Sequence, residues 1–139
     1  MRPYENFVID REKGKYYAFT MRDEANATRV FEFDLPRLSD GEKVVLETCD
    51  IKGYFDVEYQ RYIQGACLHD GKIYSLEGFS ATSLLNKPLL RIIDTKAKTA
   101  EVIKLSEDYG LDIEPEMIDF YGETCYFCNH HGDLYKLEF

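Results

Sequence analysis

The feature that most limits how this chain can fold is a threefold internal repeat. Segments 7–17, 64–74 and 116–126 align without a gap, so that Tyr17, Tyr74 and Tyr126 coincide, as do Ile9, Ala66 and Ile118. Each segment has two β-branched or aromatic runs around a turn: Arg11-Glu12-Lys13-Gly14, His69-Asp70-Gly71 and Tyr121-Gly122-Glu123. Such punctuation predicts an antiparallel hairpin in every unit. A third strand follows at 29–35, 89–95 and 133–139. Its shared pattern is Val30-Phe31-Glu32-Phe33-Asp34, Leu90-Arg91-Ile92-Ile93-Asp94 and Leu134-Tyr135-Lys136-Leu137-Glu138, each ending on an acid. Units one and two continue into a fourth strand, expected at 43–48 and 100–105, whereas unit three reaches Phe139 without one.

Four antiparallel strands per repeat form the blade of a β-propeller. The expectation is an all-β fold, a partial β-propeller of about three four-stranded antiparallel blades over 4–52, 58–108 and 112–139, the last lacking its outer strand. A β-sandwich with hairpins that happen to be similar is the alternative. The ordered strand series in all three units favours the propeller. Trp is absent, which disfavours the WD40 signature, and no kelch-type glycine pair occurs.

Composition narrows the function classes. At 139 residues the chain suffices for one domain. It carries 17 basic and 26 acidic residues, a formal charge of −9, and no basic cluster, which argues against nucleic acid as a partner. No apolar run exceeds four residues, too short for a membrane span. Met1-Arg2-Pro3-Tyr4-Glu5-Asn6 lacks the apolar middle of a signal peptide, which leaves a cytoplasmic or extracytoplasmic location open. Four cysteines, irregularly spaced, do not make a disulfide scaffold.

Propellers close with typically four to eight blades. Three blades leave two apolar end faces bare, so the expected partner is either a second copy, a homodimer completing a six-bladed ring, or the missing blades of a longer parent chain. The unpaired edge of unit three is a second point of attachment, for which Met1–Asn6 is short. Alternate connections of an antiparallel sheet emerge on opposite faces. The long ones, at 22–28, 49–61, 79–88 and 106–115, are expected to share a single face. There they would present Tyr54, Phe55, Tyr59, Tyr62, Phe79, Leu84, Leu85, Tyr109, His130 and His131 for recognition of a small molecule or a protein.

Innermost strands line the central channel of a propeller. Gln64 and Glu116 open two of them, placing a carboxamide and a carboxylate at the channel mouth beside Tyr62 and Glu114. These groups suit either a polar ligand or a hard cation, with satisfaction of loop backbone groups as the plainer role. The candidate ligand-binding set is Gln64, Glu114, Glu116, Tyr62, Tyr109 and His130, with Glu116 the candidate metal ligand. Cys125-Tyr126-Phe127-Cys128-Asn129-His130-His131 suggests zinc, but residues three apart on a strand point to opposite faces. Apolar packing is the better expectation for both thiols. No nucleophile elbow, phosphate loop or HExxH helix occurs.

Gln64-Gly65 opening one inner strand and Glu114-Pro115-Glu116 opening the next, followed by Ile118-Asp119-Phe120 and a Tyr-bearing hairpin, resembles uncharacterised bacterial six-bladed propellers. It is distantly similar to the gluconolactonase, strictosidine-synthase and phytase-like propellers, over 61–139. The resemblance implies a six-bladed ring and, for enzymatic members, calcium in the channel, with Glu116 the natural ligand and Gln64 a poorer one. Met117 stands where glycine is frequent. The functional expectation is a non-catalytic ligand- or protein-binding module. The alternative is a calcium-dependent hydrolase, lactonase or phosphoesterase-like, with its site in the channel.

Overall fold

The computed structural model describes residues 6–58 and 62–139. Eleven strands form three antiparallel sheets. The first runs β1 (Asn6–Asp10), β2 (Lys15–Arg22), β3 (Ala27–Asp34) and β4 (Gly53–Glu58). The second runs β5 (Ile63–His69), β6 (Lys72–Glu77), β7 (Leu89–Asp94) and β8 (Thr99–Ile103). The third has β9 (Pro115–Tyr121), β10 (Thr124–Asn129) and β11 (Leu134–Leu137). Between β8 and β9 lies a short helix, α1 (Leu105–Tyr109), ended by Gly110 in the left-handed conformation that a residue without Cβ adopts freely.

Each sheet follows chain order, so each is a meander of the kind that builds a propeller blade. The first strands β1, β5 and β9 lie side by side, β5 between the other two. This arranges the sheets about a common inner edge. The fold is a three-bladed partial propeller.

The repeat has a common register. Tyr17 pairs with Glu32, Tyr74 with Ile92 and Tyr126 with Lys136, which are matching positions of the second and third strands. On the inner side Tyr17, Tyr74 and Tyr126 face Val8, Cys67 and Asp119. Unit one spends four residues on its first turn, between Asp10 and Lys15, where units two and three spend two. Its inner strand therefore slips by two against the ungapped alignment. An even slip leaves every side chain on its original face.

The blades are joined by two apolar seams. Val8, Tyr17, Phe19, Val30 and Val57 of blade one pack with Ile73 and Ile93 of blade two. Tyr74, Leu76, Leu90 and Ile92, on the other face of blade two, pack with Ile118, Cys125, Phe127 and Leu137 of blade three, and Leu105 of α1 seals the seam. Blade two therefore buries both faces, and its strands β6 and β7 are buried along nearly their whole length. At the second seam a Cβ on Gly65 would collide with the backbone of Glu116 and Met117, so glycine lets β5 and β9 approach backbone to backbone.

One expected element is displaced. The fourth strand of blade one is Gly53–Glu58, not 43–48. Its partners explain the choice. Arg29 pairs with Asp56 across the strands through two hydrogen bonds of 2.6 and 2.8 Å and lies 4.1 Å over the Tyr54 ring, while Val30 faces Phe55. The segment 43–48 instead belongs to a long connection, 35–52, that folds back on the outward face of blade one. There Leu46 and Ile51 cover Ala18, Phe31 and Phe33. Its end is pinned by a reciprocal cap between Glu47 and Asp50 and by the Lys52 amide, which donates to the Glu32 carbonyl at 2.8 Å.

This overturns the one-sided distribution of long loops. The connection 35–52 joins a third strand to a fourth, so it emerges with the tight turns, opposite 78–88 and 104–114. Tyr54 and Phe55 are strand residues, not loop residues. Tyr59 and the segment preceding Asn6 lie outside the described residues.

Candidate functional site

The inner strands β5 and β9 begin at one end of the propeller and bring part of the expected site together. The Gln64 side-chain amide donates to a Glu114 carboxylate oxygen at 3.1 Å and to the Gly78 carbonyl at 3.2 Å. The His130 amide donates to the Glu114 carbonyl at 3.1 Å, tying the β10–β11 turn to the same point. Tyr62, at a left-handed φ of 60°, packs against Phe79 with ring centres 4.3 Å apart and planes tilted by 46°, and its carbonyl accepts from the Gly78 amide. Gln64, Glu114, Tyr62 and His130 are thus neighbours through direct or shared contacts. Glu116 is half-buried one step along β9, where its backbone abuts Gly65. Tyr109 stands exposed at the end of α1, with no hydrogen bond to this group among the described residues.

The donor set decides what this mouth can hold. Gln64 presents its amide nitrogen, a donor, to Glu114, so carboxamide and carboxylate satisfy each other. Calcium takes six to eight oxygens. Among the described residues no three His, Cys, Asp or Glu side chains converge on one point. The residues present do not fit a calcium ion. Cys125 is buried in the seam while Cys128 faces the other way, as strand alternation requires. Burial pushes the Cys125 thiol up to about 11 and the neighbouring Cys67 up to about 12, which keeps both as inert apolar groups at neutral pH. His130 and His131 lie ring to ring at 3.7 Å in the exposed turn.

At the opposite end, the first strands and their turns enclose a concave space of about 910 Å³ between blades one and two, reaching Asp119 and Glu123 of blade three. His69 lies flat on Phe120 at 4.0 Å and meets Glu123 at 3.3 Å across that boundary. This is the bare flank of the inner strands, a channel open along one side.

A second site was not singled out by sequence reasoning. Glu77 of β6 and Arg91 of β7 are 2% and 4% exposed and face blade one, lining a cleft of about 450 Å³ between the two blades. Arg91 Nε stands 3.4 Å from Glu77 Oε1, and its Nη1 lies 3.4 Å from Glu58 Oε2, reaching over from β4. Both gaps are long for charge-assisted hydrogen bonds. Glu77 Oε2 and Arg91 Nε have no hydrogen-bond partner among the described residues. Burial pushes the Glu77 carboxyl up to about 8, against the opposing pull of Arg91, so at neutral pH it is largely protonated.

The repeat held a signal for this pair. Thr20, Glu77 and Asn129 occupy one slot of the second strand, all buried. Phe31, Arg91 and Tyr135 share the matching slot of the third. In blade three the slots are self-sufficient: Asn129 donates to Asp133 at 2.9 Å and to the Tyr135 hydroxyl at 3.3 Å. Only blade two fills both with charged groups. A scan against protein-family models finds no match for the chain, and a search of curated proteins likewise finds none.

Proposed function

We propose that this chain is a binding module that works as half of a six-bladed ring, with a second copy of itself as its partner. The observation that carries this is the bare outward face of blade three. Met117, Cys128 and Leu134 form one row across β9, β10 and β11, and Met117 and Leu134 are 71% and 70% exposed. Tyr121 extends the patch along β9. Contiguous exposed apolar surface of this kind marks an association site. Among the described residues no fourth strand covers the β11 edge.

The opposite end supplies a complement. Leu46 and Ile51 cover only the outer part of blade one, leaving Phe7 and Ile9 of its inner strand exposed. Within the chain β1 meets β5 and β5 meets β9. Setting β9 of one copy against β1 of the next repeats that contact, and a twofold axis closes three blades on three. The resemblance of 61–139 to six-bladed propellers agrees with that count. Binding rather than chemistry suits the mouth of the channel, where Gln64 and Glu114 are engaged with each other.

Light scattering on the purified chain tests this. A dimer is expected, and Met117→Glu, which places a charge in the middle of the bare row, is expected to yield a folded monomer. A wild-type chain that stays monomeric at about 100 µM (on the order of the concentration at which ~5.5 kcal/mol contacts are formed) overturns the reading, as does a dimer indifferent to Met117→Glu.

A further inference from the structure

The cleft between blades one and two has no role in ring closure, since both of its walls belong to one copy. Burying a guanidinium beside an acid that stays largely protonated costs several kcal/mol in lost hydration, and apolar replacements of similar volume for buried polar pairs are commonly neutral or better for stability. The propeller itself offers such replacements, for blades one and three build the same slots with Thr20 and Phe31, or Asn129 and Tyr135. Blade packing alone therefore does not call for Glu77 and Arg91. What distinguishes the pair is that it is left incomplete beside open space: Glu77 Oε2 has no hydrogen-bond partner, and Arg91 Nε makes none either, standing only within 3.4 Å of Glu77 Oε1.

Glu58 indicates what completes it. Its side chain is 76% exposed, yet its carboxylate is drawn to the outer end of a guanidinium that is 4% exposed. A loosely held carboxylate from another blade thus stands at the position an incoming one would take. Lys87 and Lys104 stand at the rim, both held by Glu107 at 3.2 and 2.8 Å, and Leu89 and Val102 make the adjoining wall apolar. We propose that this cleft binds a small monocarboxylate with a short aliphatic chain, its carboxylate displacing Glu58 from Arg91 and its chain lying on Leu89 and Val102. One ligand oxygen accepts from the Arg91 fork, which is shaped for carboxylates. The other accepts the proton of Glu77, which satisfies the orphaned acid. A phosphate would set more negative charge beside two glutamates and leave oxygens facing an apolar wall.

Calorimetric titration at pH 6.5 with acetate, butyrate and hexanoate tests the assignment, with hexylammonium and inorganic phosphate as controls. Saturable one-to-one binding of the carboxylates is expected, strengthening from acetate to hexanoate, with no heat from either control. Glu58→Gln removes the internal competitor and is expected to tighten hexanoate about threefold to tenfold. Arg91→Gln is expected to lose at least tenfold. If Arg91→Gln fails to fold, the direction of the Glu58→Gln change decides. The proposal is overturned if no carboxylate binds either the wild type or Glu58→Gln. It is equally overturned if Glu58→Gln weakens binding, if folded Arg91→Gln binds as the wild type does, or if phosphate or hexylammonium binds as well.

Discussion

Glu77 is the residue whose environment departs furthest from its chemistry, and stability should register it. A carboxyl whose ordinary value is near 4.5 is pushed up to about 8 by burial. The folded chain therefore keeps a proton that the unfolded chain releases, and the imbalance lasts from about 4.5 to about 8. Stability contributed by the neutral acid is whole below that window and drains away as pH rises through it. The difference between wild type and Glu77→Gln isolates this group, because every other carboxylate is common to both. Urea unfolding at pH 5, 6.5 and 8.5 is expected to find the two proteins within about 1 kcal/mol at pH 5. By pH 8.5 the glutamine variant should lead by a few kcal/mol, on the order of what such a displacement is worth. Parallel pH profiles would mean that Glu77 ionises freely and that Arg91 holds it as a true ion pair. Sequence reasoning passed over this residue because a charged side chain in a strand is normally a solvated one. The clue lay in comparing blades: Thr20, Glu77 and Asn129 share a slot, and only the middle one is ionisable.

At the scale of elements, the repeat made ten of the eleven strands legible and misplaced one. Hairpins and third strands were readable because turn residues and the acid-terminated pattern recur three times, so each unit corroborates the others. The fourth strand of blade one had no such support. Lys43-Val44-Val45-Leu46-Glu47-Thr48 has the stronger local strand character, yet Gly53–Glu58 takes the edge. Local propensity is weak beside cross-strand pairing, and the decisive partners, Arg29 with Asp56 and Phe31 with Tyr54, lie more than twenty residues apart in sequence. The same error shifted Tyr54 and Phe55 into a loop and gave the impression that the long loops share one face. Valine substitutions separate the two assignments. Val57 is buried in the seam between blades one and two, so Val57→Ala is expected to cost about 1.5–2.5 kcal/mol. Val45 is exposed, and Val45→Ala is expected to change stability by less than about 0.5 kcal/mol. Chemical denaturation measures both, and equal costs would return the strand to 43–48.

For the whole molecule, the governing fact is asymmetry between its ends. Blade one brings its own partial cover, Leu46 and Ile51, whereas among the described residues blade three presents Met117, Tyr121 and Leu134 without one. The sequence conveyed that three blades are too few to bury both end faces, because that follows from counting strands. It did not convey the cover, which depends on where a connection folds back in three dimensions. The candidate site was less readable: Glu116 was the carboxylate expected beside Gln64, but Gln64 bonds to Glu114 instead, a choice set by how β5 and the loop before β9 approach one another. If two copies close the ring, charge opposes them, since each carries a formal −9. The surfaces that would meet are chiefly apolar, so attraction is short-ranged and nearly independent of salt, while repulsion extends over a screening length of about 30 Å at 0.01 M ionic strength and about 8 Å at 0.15 M. Association should therefore tighten on adding salt, by roughly threefold to tenfold between 0.01 and 0.15 M. Sedimentation equilibrium at the two ionic strengths measures this. A dimer that instead loosens with salt would be held by charge pairs, such as Asp119 or Lys136 of blade three against Arg29 or Asp56 of blade one, and the apolar row would not be its adhesive.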